Sequence, residues 1–106
     1  MEDVLRRFPD CVPALNFIGY KLADENKDLD RALALLTRAV ELSPDSDFIL
    51  DSMAWVLYRL GRHEEAWNFI SKAIAIGTRS GTLDPTILEH SGDIAMALGK
   101  TAEARN

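Results

Sequence analysis

Cysteine is nearly absent from this chain of 106 residues, and the single one, Cys11, excludes an internal disulfide. Stability must therefore come from a packed core, and the redox compartment stays open. Long apolar runs are missing as well: no stretch approaches the ~18 residues that read as a membrane span. The opening residues, MEDVLRRFPDC, hold no apolar signal core, and those before Cys11 do not read as a lipoprotein cleavage site. Basic residues are in deficit, 12 Lys and Arg against 17 Asp and Glu, giving a net charge of −5. Such a surface is ill suited to tracking a phosphate backbone, so no nucleic-acid partner is expected. Strand patterns are lacking too, with no sustained alternation and no Asn-Gly hairpin.

What is present is a repeat. The stretch YRLGRHEEAW at 58–67 is echoed by MALGKTAEAR at 96–105, 38 residues later. Gly61 and Gly99 stand where a helix should stop, because glycine accepts the left-handed backbone that closes a helix end. Upstream of Gly61, Leu50, Met53, Ala54 and Leu57 form one stripe of a helix. Leu88, Ser91, Gly92 and Ala95 keep that spacing before Gly99, and Leu15, Ile18, Gly19 and Leu22 keep it in the first third. A second helix follows each: Ala32, Leu35, Leu36, Ala39 and Val40 match Ala66, Phe69, Ile70, Ala73 and Ile74 at i, i+3, i+4, i+7, i+8. Small residues in phase mark tight helix crossings.

Junctions agree with this division. SPDSD at 43–47 pairs a helix-ending proline with Ser and Asp capping candidates, and LDPT at 83–86 offers Asp84 as cap and Pro85 in the first turn. Residues 12–25 are expected to pair with 29–42 and residues 47–60 with 63–76. A last helix is expected over 85–98, followed by a stub.

With Leu50, Ala54, Leu57, Gly61, Ala66, Ile70 and Ala73 in phase and Pro44 closing the unit before, the chain resembles the tetratricopeptide-repeat family. The resemblance covers essentially the whole chain and implies an all-α, right-handed superhelical solenoid of antiparallel helix-turn-helix repeats. It divides one domain into the end of a preceding repeat (1–9), repeat 1 (10–44), repeat 2 with a long loop at 77–83 (45–83) and a partial repeat 3 (84–106). The family's early tryptophan is replaced by Leu15, Leu50 and Leu88, and repeat 1 lacks the turn glycine. Both ends read as cut, so the sequence is expected to be a slice of a longer protein. The face such a cut uncovers, with Val4, Leu5, Leu88 and Ala95, is expected to favour self-association as a homodimer. The stretch LDSMAWVLYRLGR resembles bacterial repeat proteins of cytoplasm and cell envelope alike.

Catalysis is not expected. His63-Glu64 lacks the second histidine of a zinc-protease motif, since Trp67 stands there. Glu89, His90 and Asp93 are too few to make a selective metal site. GTRSGT at 77–82 has no Gly-Lys-Ser/Thr ending, and no nucleophile–base pair is visible. No cofactor or metal is therefore assigned.

The remaining feature is the other face of the first helices, which by resemblance lines a concave groove. It carries Asn16, Phe17, Tyr20 and Asp24 in repeat 1, then Phe48, Asp51, Ser52, Trp55, Tyr58 and Arg59 in repeat 2. Repeat 3 adds Glu89, His90, Asp93 and Met96. A helix apolar on two sides must bury both or offer one to a partner. Some family members clamp a peptide's C-terminal carboxylate with lysine and asparagine. Here Asp24, Asp51, Glu89 and Asp93 against Arg59 disfavour a carboxylate. The expected partner is a protein or peptide segment with apolar anchors and basic flanks, Trp55 and Tyr58 giving anchoring area and Asp51 and Glu89 steering.

Overall fold

The computed structural model describes residues 6–7 and 9–105, with side-chain surroundings given up to Gly99. Among the described residues five helices follow one another from Val12 onward: α1 (Val12–Asp24), α2 (Leu29–Leu42), α3 (Asp47–Arg59), α4 (His63–Ser80) and α5 (Pro85–Arg105). Each packs on its sequence neighbour, and the first helices of successive units, α1 with α3 and α3 with α5, also touch. This is a layered array of helical hairpins, as the phased stripes predict. Val4 and Leu5 lie outside the described residues.

Small residues bring the layers together. Ala23, Ala32, Ala39, Ala54, Ala66 and Ala73 are fully buried, so the alanine columns are sites of close helix approach. Around them Leu36, Leu50, Leu57, Ile70, Ile87 and Ile94 fill the interior. At roughly 1.5–3 kcal/mol for each large apolar side chain removed from water, this one layer outweighs any surface ion pair of the chain.

One hydrogen-bond motif closes three helices. Arg62 N donates to Leu57 O (2.9 Å) and Gly61 N to Tyr58 O (3.0 Å), with Gly61 at φ +82°. The same pair of bonds recurs from Thr82 to Gly77 O and from Gly81 to Thr78 O, and again from Lys27 to Leu22 O and from Asn26 to Ala23 O. Repeat 1 has no glycine at this place, and Asn26 takes the left-handed conformation instead, at φ 56°. Asparagine tolerates that region better than most side chains. At the start of α5, Asp84 Oδ1 accepts from Thr86 N at 2.8 Å, the cap its place before Pro85 implies.

Three expectations need correction. The long loop at 77–83 is mostly helix: α4 runs to Ser80, and the turn is made by Gly81 at φ +71°. Gly77 is buried inside the helix, where an added Cβ would lie 3.0 Å from Leu83 Cδ1 and 3.4 Å from Asp47 Oδ2. Its task is close approach rather than turning. Gly99 does not stop a helix, since α5 continues to Arg105. The turn at Gly61 is backed by the burial of Ala66, Ile70 and Ala73 behind it, whereas the sequence after Gly99 offers helix-favouring Lys, Ala, Glu and Arg. The buried stripe of α5 also differs, being Ile87, His90 and Ile94. The stripe carried over from repeats 1 and 2, Leu88, Gly92 and Ala95, faces outward.

Candidate functional site

The first helices α1 and α3 and the start of α5 enclose an open pocket of about 830 Å³. From α1 come Pro13, Asn16, Phe17, Tyr20, Lys21, Asp24 and Glu25, spaced so that one helical face looks into the space. Phe48, Asp51 and Ser52 from α3 form the floor, and Asp84, Thr86 and Ile87 form the far wall. Phe17 and Phe48 are 52% and 54% exposed, the opposite of what core aromatics show, and both line this one pocket. Asp24, Glu25 and Asp84, with Asp51 below, outnumber Lys21 in the lining, although Lys27 pairs with Glu25 at 3.5 Å and Arg59 with Asp24 at 4.0 Å.

The predicted groove residues therefore separate. Asn16, Tyr20, Asp24, Phe48 and Asp51 meet in the pocket. Trp55, expected as the anchor, is instead 7% exposed and belongs to the core. Its indole stacks on the His90 ring at 4.0 Å and 21°, packs against Tyr58 at 4.9 Å, and carries the Arg59 guanidinium 5.0 Å from its centroid. Tyr58 is half-buried between Trp55 and His63. Arg59 is engaged rather than free, as Nη2 donates to Asp24 O at 3.2 Å, at the carbonyl-rich end of α1. Glu89 and Asp93 are exposed on α5 and do not line the pocket.

Asp51 is the second correction at the site. It was expected as a solvent-exposed steering charge, yet it is 7% exposed and its Oδ1 pairs with His90 Nδ1 at 2.8 Å. This bond crosses from α3 to α5 and is buried on both sides. His90 also comes within 6.1 Å of the Tyr20 ring on α1, so three first helices converge on one imidazole. Burial pushes the Tyr20 hydroxyl above the usual tyrosine range, with Asp24 and Asp51 adding to the effect and Arg59 opposing it. Asn16 lines the pocket, but its Oδ1 is buried and finds no donor among the described residues. Because His90 turns inward, it does not gather with Glu89 and Asp93. Among the described residues no group of three metal-ligating side chains converges.

Lys21, Glu25 and Pro13 were legible in principle, since they continue the i, i+3, i+4 face that carries Phe17 and Tyr20. Asp84 and Ile87 were not. They reach the pocket because the extra turn of α4 sets where α5 begins.

Stacked helical hairpins with an open groove along the first helices define a helical-repeat scaffold. Residues 12–46 match the tetratricopeptide repeat. Over 71 residues, 67% of the chain, the sequence is 41% identical to a TPR repeat-containing protein of Pseudomonas aeruginosa, of which it spans 12%. The chain belongs to the tetratricopeptide-repeat family. Repeats of this family generally act as non-catalytic scaffolds for protein–protein interaction. No helix among the described residues is long and apolar enough to cross a membrane.

Proposed function

We propose that the chain is a non-catalytic adaptor that holds a protein or peptide segment in the groove between α1, α3 and the start of α5. The observation that carries this reading is the convergence of Phe17, Tyr20 and Phe48 on one open pocket with acidic walls. Half-exposed phenylalanines leave apolar area in water that a partner would cover. The carboxylates around them favour a segment with apolar anchors and basic flanks, and disfavour a C-terminal carboxylate.

The test is selection of short blocked peptides from a random library, followed by titration against Phe17→Ala and Phe48→Ala. Peptides that bind the parent and lose most of their affinity in both variants, with the helical spectrum intact, are expected. Peptides indifferent to both substitutions would place the binding surface elsewhere.

A second reading, self-assembly, is favoured by the outer face of α5. Leu88 is 49% and Met96 70% exposed, and Gly92 has nothing within 4 Å of where a Cβ would stand. Sedimentation across a concentration series decides it: mass rising with concentration, and lost in Leu88→Glu, supports assembly.

A further inference from the structure

The buried pair on the groove floor does more than join two helices. Asp51, its side chain 9% exposed, uses Oδ1 for His90 and is also one of the residues lining the pocket. The charge it shows to an incoming ligand therefore depends on the state of its partner. With a neutral imidazole, whose Nδ1–H still donates to Oδ1, the pair carries one negative charge. With imidazolium the bond persists and the pair is neutral. Histidine is the side chain whose charge changes between about pH 5 and 8.

We infer that Asp51 is the seat for a basic side chain of the groove's partner and that His90 is its built-in competitor, a proton on His90 cancelling the charge the cation would use. The inference rests on the groove reading above and adds to it the place and control of the cation. The stem of a lysine or arginine has apolar walls to lie along in Phe17, Phe48 and Tyr20. A carboxylate would meet Asp84 and Asp51 in the lining beside Asp24 and Glu25, the last two already paired with Arg59 and Lys27.

The groups that bear on His90 are few. From α1 comes Tyr20, neutral through the working range and pushed further that way by burial. From α3 come Asp51 in direct contact, Trp55 stacked on the ring, and Arg59, which sits over the same indole and pairs with Asp24. From α4, His63 packs tilted against Tyr58, its ring 5.5 Å away. On α5 itself the neighbours Glu89 and Asp93 are exposed. Asp51 is thus the one charged group bonded to the imidazole. By linkage, a cation seated on Asp51 and a proton on His90 must each weaken the other by the same factor. Affinity for a basic partner accordingly rises with pH through the histidine range.

The experiment uses the chain as it is and a fluorescent, blocked, arginine-containing peptide selected from a random library at about pH 8. Its affinity is expected to fall at least about fivefold at about pH 5.5. The same peptide with arginine replaced by citrulline, alike in shape but uncharged, should bind more weakly and lose the pH dependence. His63→Gln should keep the dependence and His90→Gln should abolish it. In the unaltered chain, the His90 ring resonances should titrate at lower pH once the peptide saturates the groove, a reading that needs no folded variant. An unmoved titration, or an affinity equal at both pH values in a peptide that still needs Phe17 and Phe48, would overturn the inference and leave the groove reading standing. Peptides that ignore Phe17→Ala and Phe48→Ala, or a library yielding none, would remove both.

Discussion

Leu36 of α2 fills the space that Gly19 leaves open on α1: a Cβ at residue 19 would lie 2.5 Å from Leu36 Cγ and 2.9 Å from its Cδ2. Leu36 is fully buried, and the nearest atom is the branch point of its side chain, which cannot swing aside. Gly19→Ala is therefore expected to destabilise the fold by about 1–3 kcal/mol through overpacking. Gly92 holds the same place in the repeat, but nothing lies within 4 Å of it. There Gly92→Ala should stabilise by about 0.5–1 kcal/mol, the gain of alanine over glycine inside a helix. Urea unfolding of the two variants checks both signs together. Equal shifts would mean the position is governed by helix propensity alone.

Open space does not make a glycine replaceable. Gly61 has no neighbour within 4 Å, yet its φ of +82° is one that a side chain resists. Gly61→Ala should cost about 1–2 kcal/mol from backbone strain alone. Asn26, at φ 56° in the equivalent turn of repeat 1, should tolerate Asn26→Gly with a change below about 1 kcal/mol. Thermal melts of the two variants separate strain from contact loss.

The helices were legible because their stripes repeat in phase, and α1 to α3 end within a residue of the expected bounds 25, 42 and 60. The fate of Trp55 was not legible. A helix apolar on both sides can turn either face to a partner, and what decides here is His90, 35 residues further on, stacked over the indole. Asp51 looked like a solvated charge for the same reason, since its bond to His90 spans 39 residues. Gly99 misled because a Leu-Gly-basic pattern does not by itself fix a left-handed turn, and α5 runs through it to Arg105. Phe17 and Phe48 were visible as groove residues, but only their exposure in the fold ranks them above Trp55 as anchors.

That ranking makes a prediction of its own. Phe17→Ala and Phe48→Ala should change stability by no more than about 0.5 kcal/mol, as surface substitutions do. Each should cost a bound segment about 2 kcal/mol or more if it anchors that segment. Trp55→Ala should lose about 3–5 kcal/mol of stability, the cost of emptying a buried aromatic site. Circular dichroism with denaturant and peptide titration on the same three variants gives both numbers. A stable Trp55→Ala chain would contradict the core assignment.

Tyr20 gives a prediction about alkaline conditions. Burial first, then Asp24 and Asp51, raise its folded-state value above the ~10 of an unfolded tyrosine. The neutral hydroxyl is thus favoured in the folded chain, and the unfolded chain releases its proton first. Stability from this group is complete below about pH 10 and is lost as pH climbs through the raised folded value. Tyr20→Phe should flatten that alkaline decline. Chemical unfolding at a series of pH values from about 8 to 11 reads it, and an unchanged slope would point to other groups.

The extra turn of α4 has a bearing on what the array can measure. The helix has 18 residues against 14 in α2, and four residues of helix are about 6 Å of rise. The step from α1 to α3 and the step from α3 to α5 are therefore unequal along the chain, 35 residues between Gly19 and Ala54 against 38 between Ala54 and Gly92. A ruler with uneven divisions cannot be matched by a ligand of identical units. A partner of repetitive sequence would fall out of register after one step, whereas an aperiodic one can meet both.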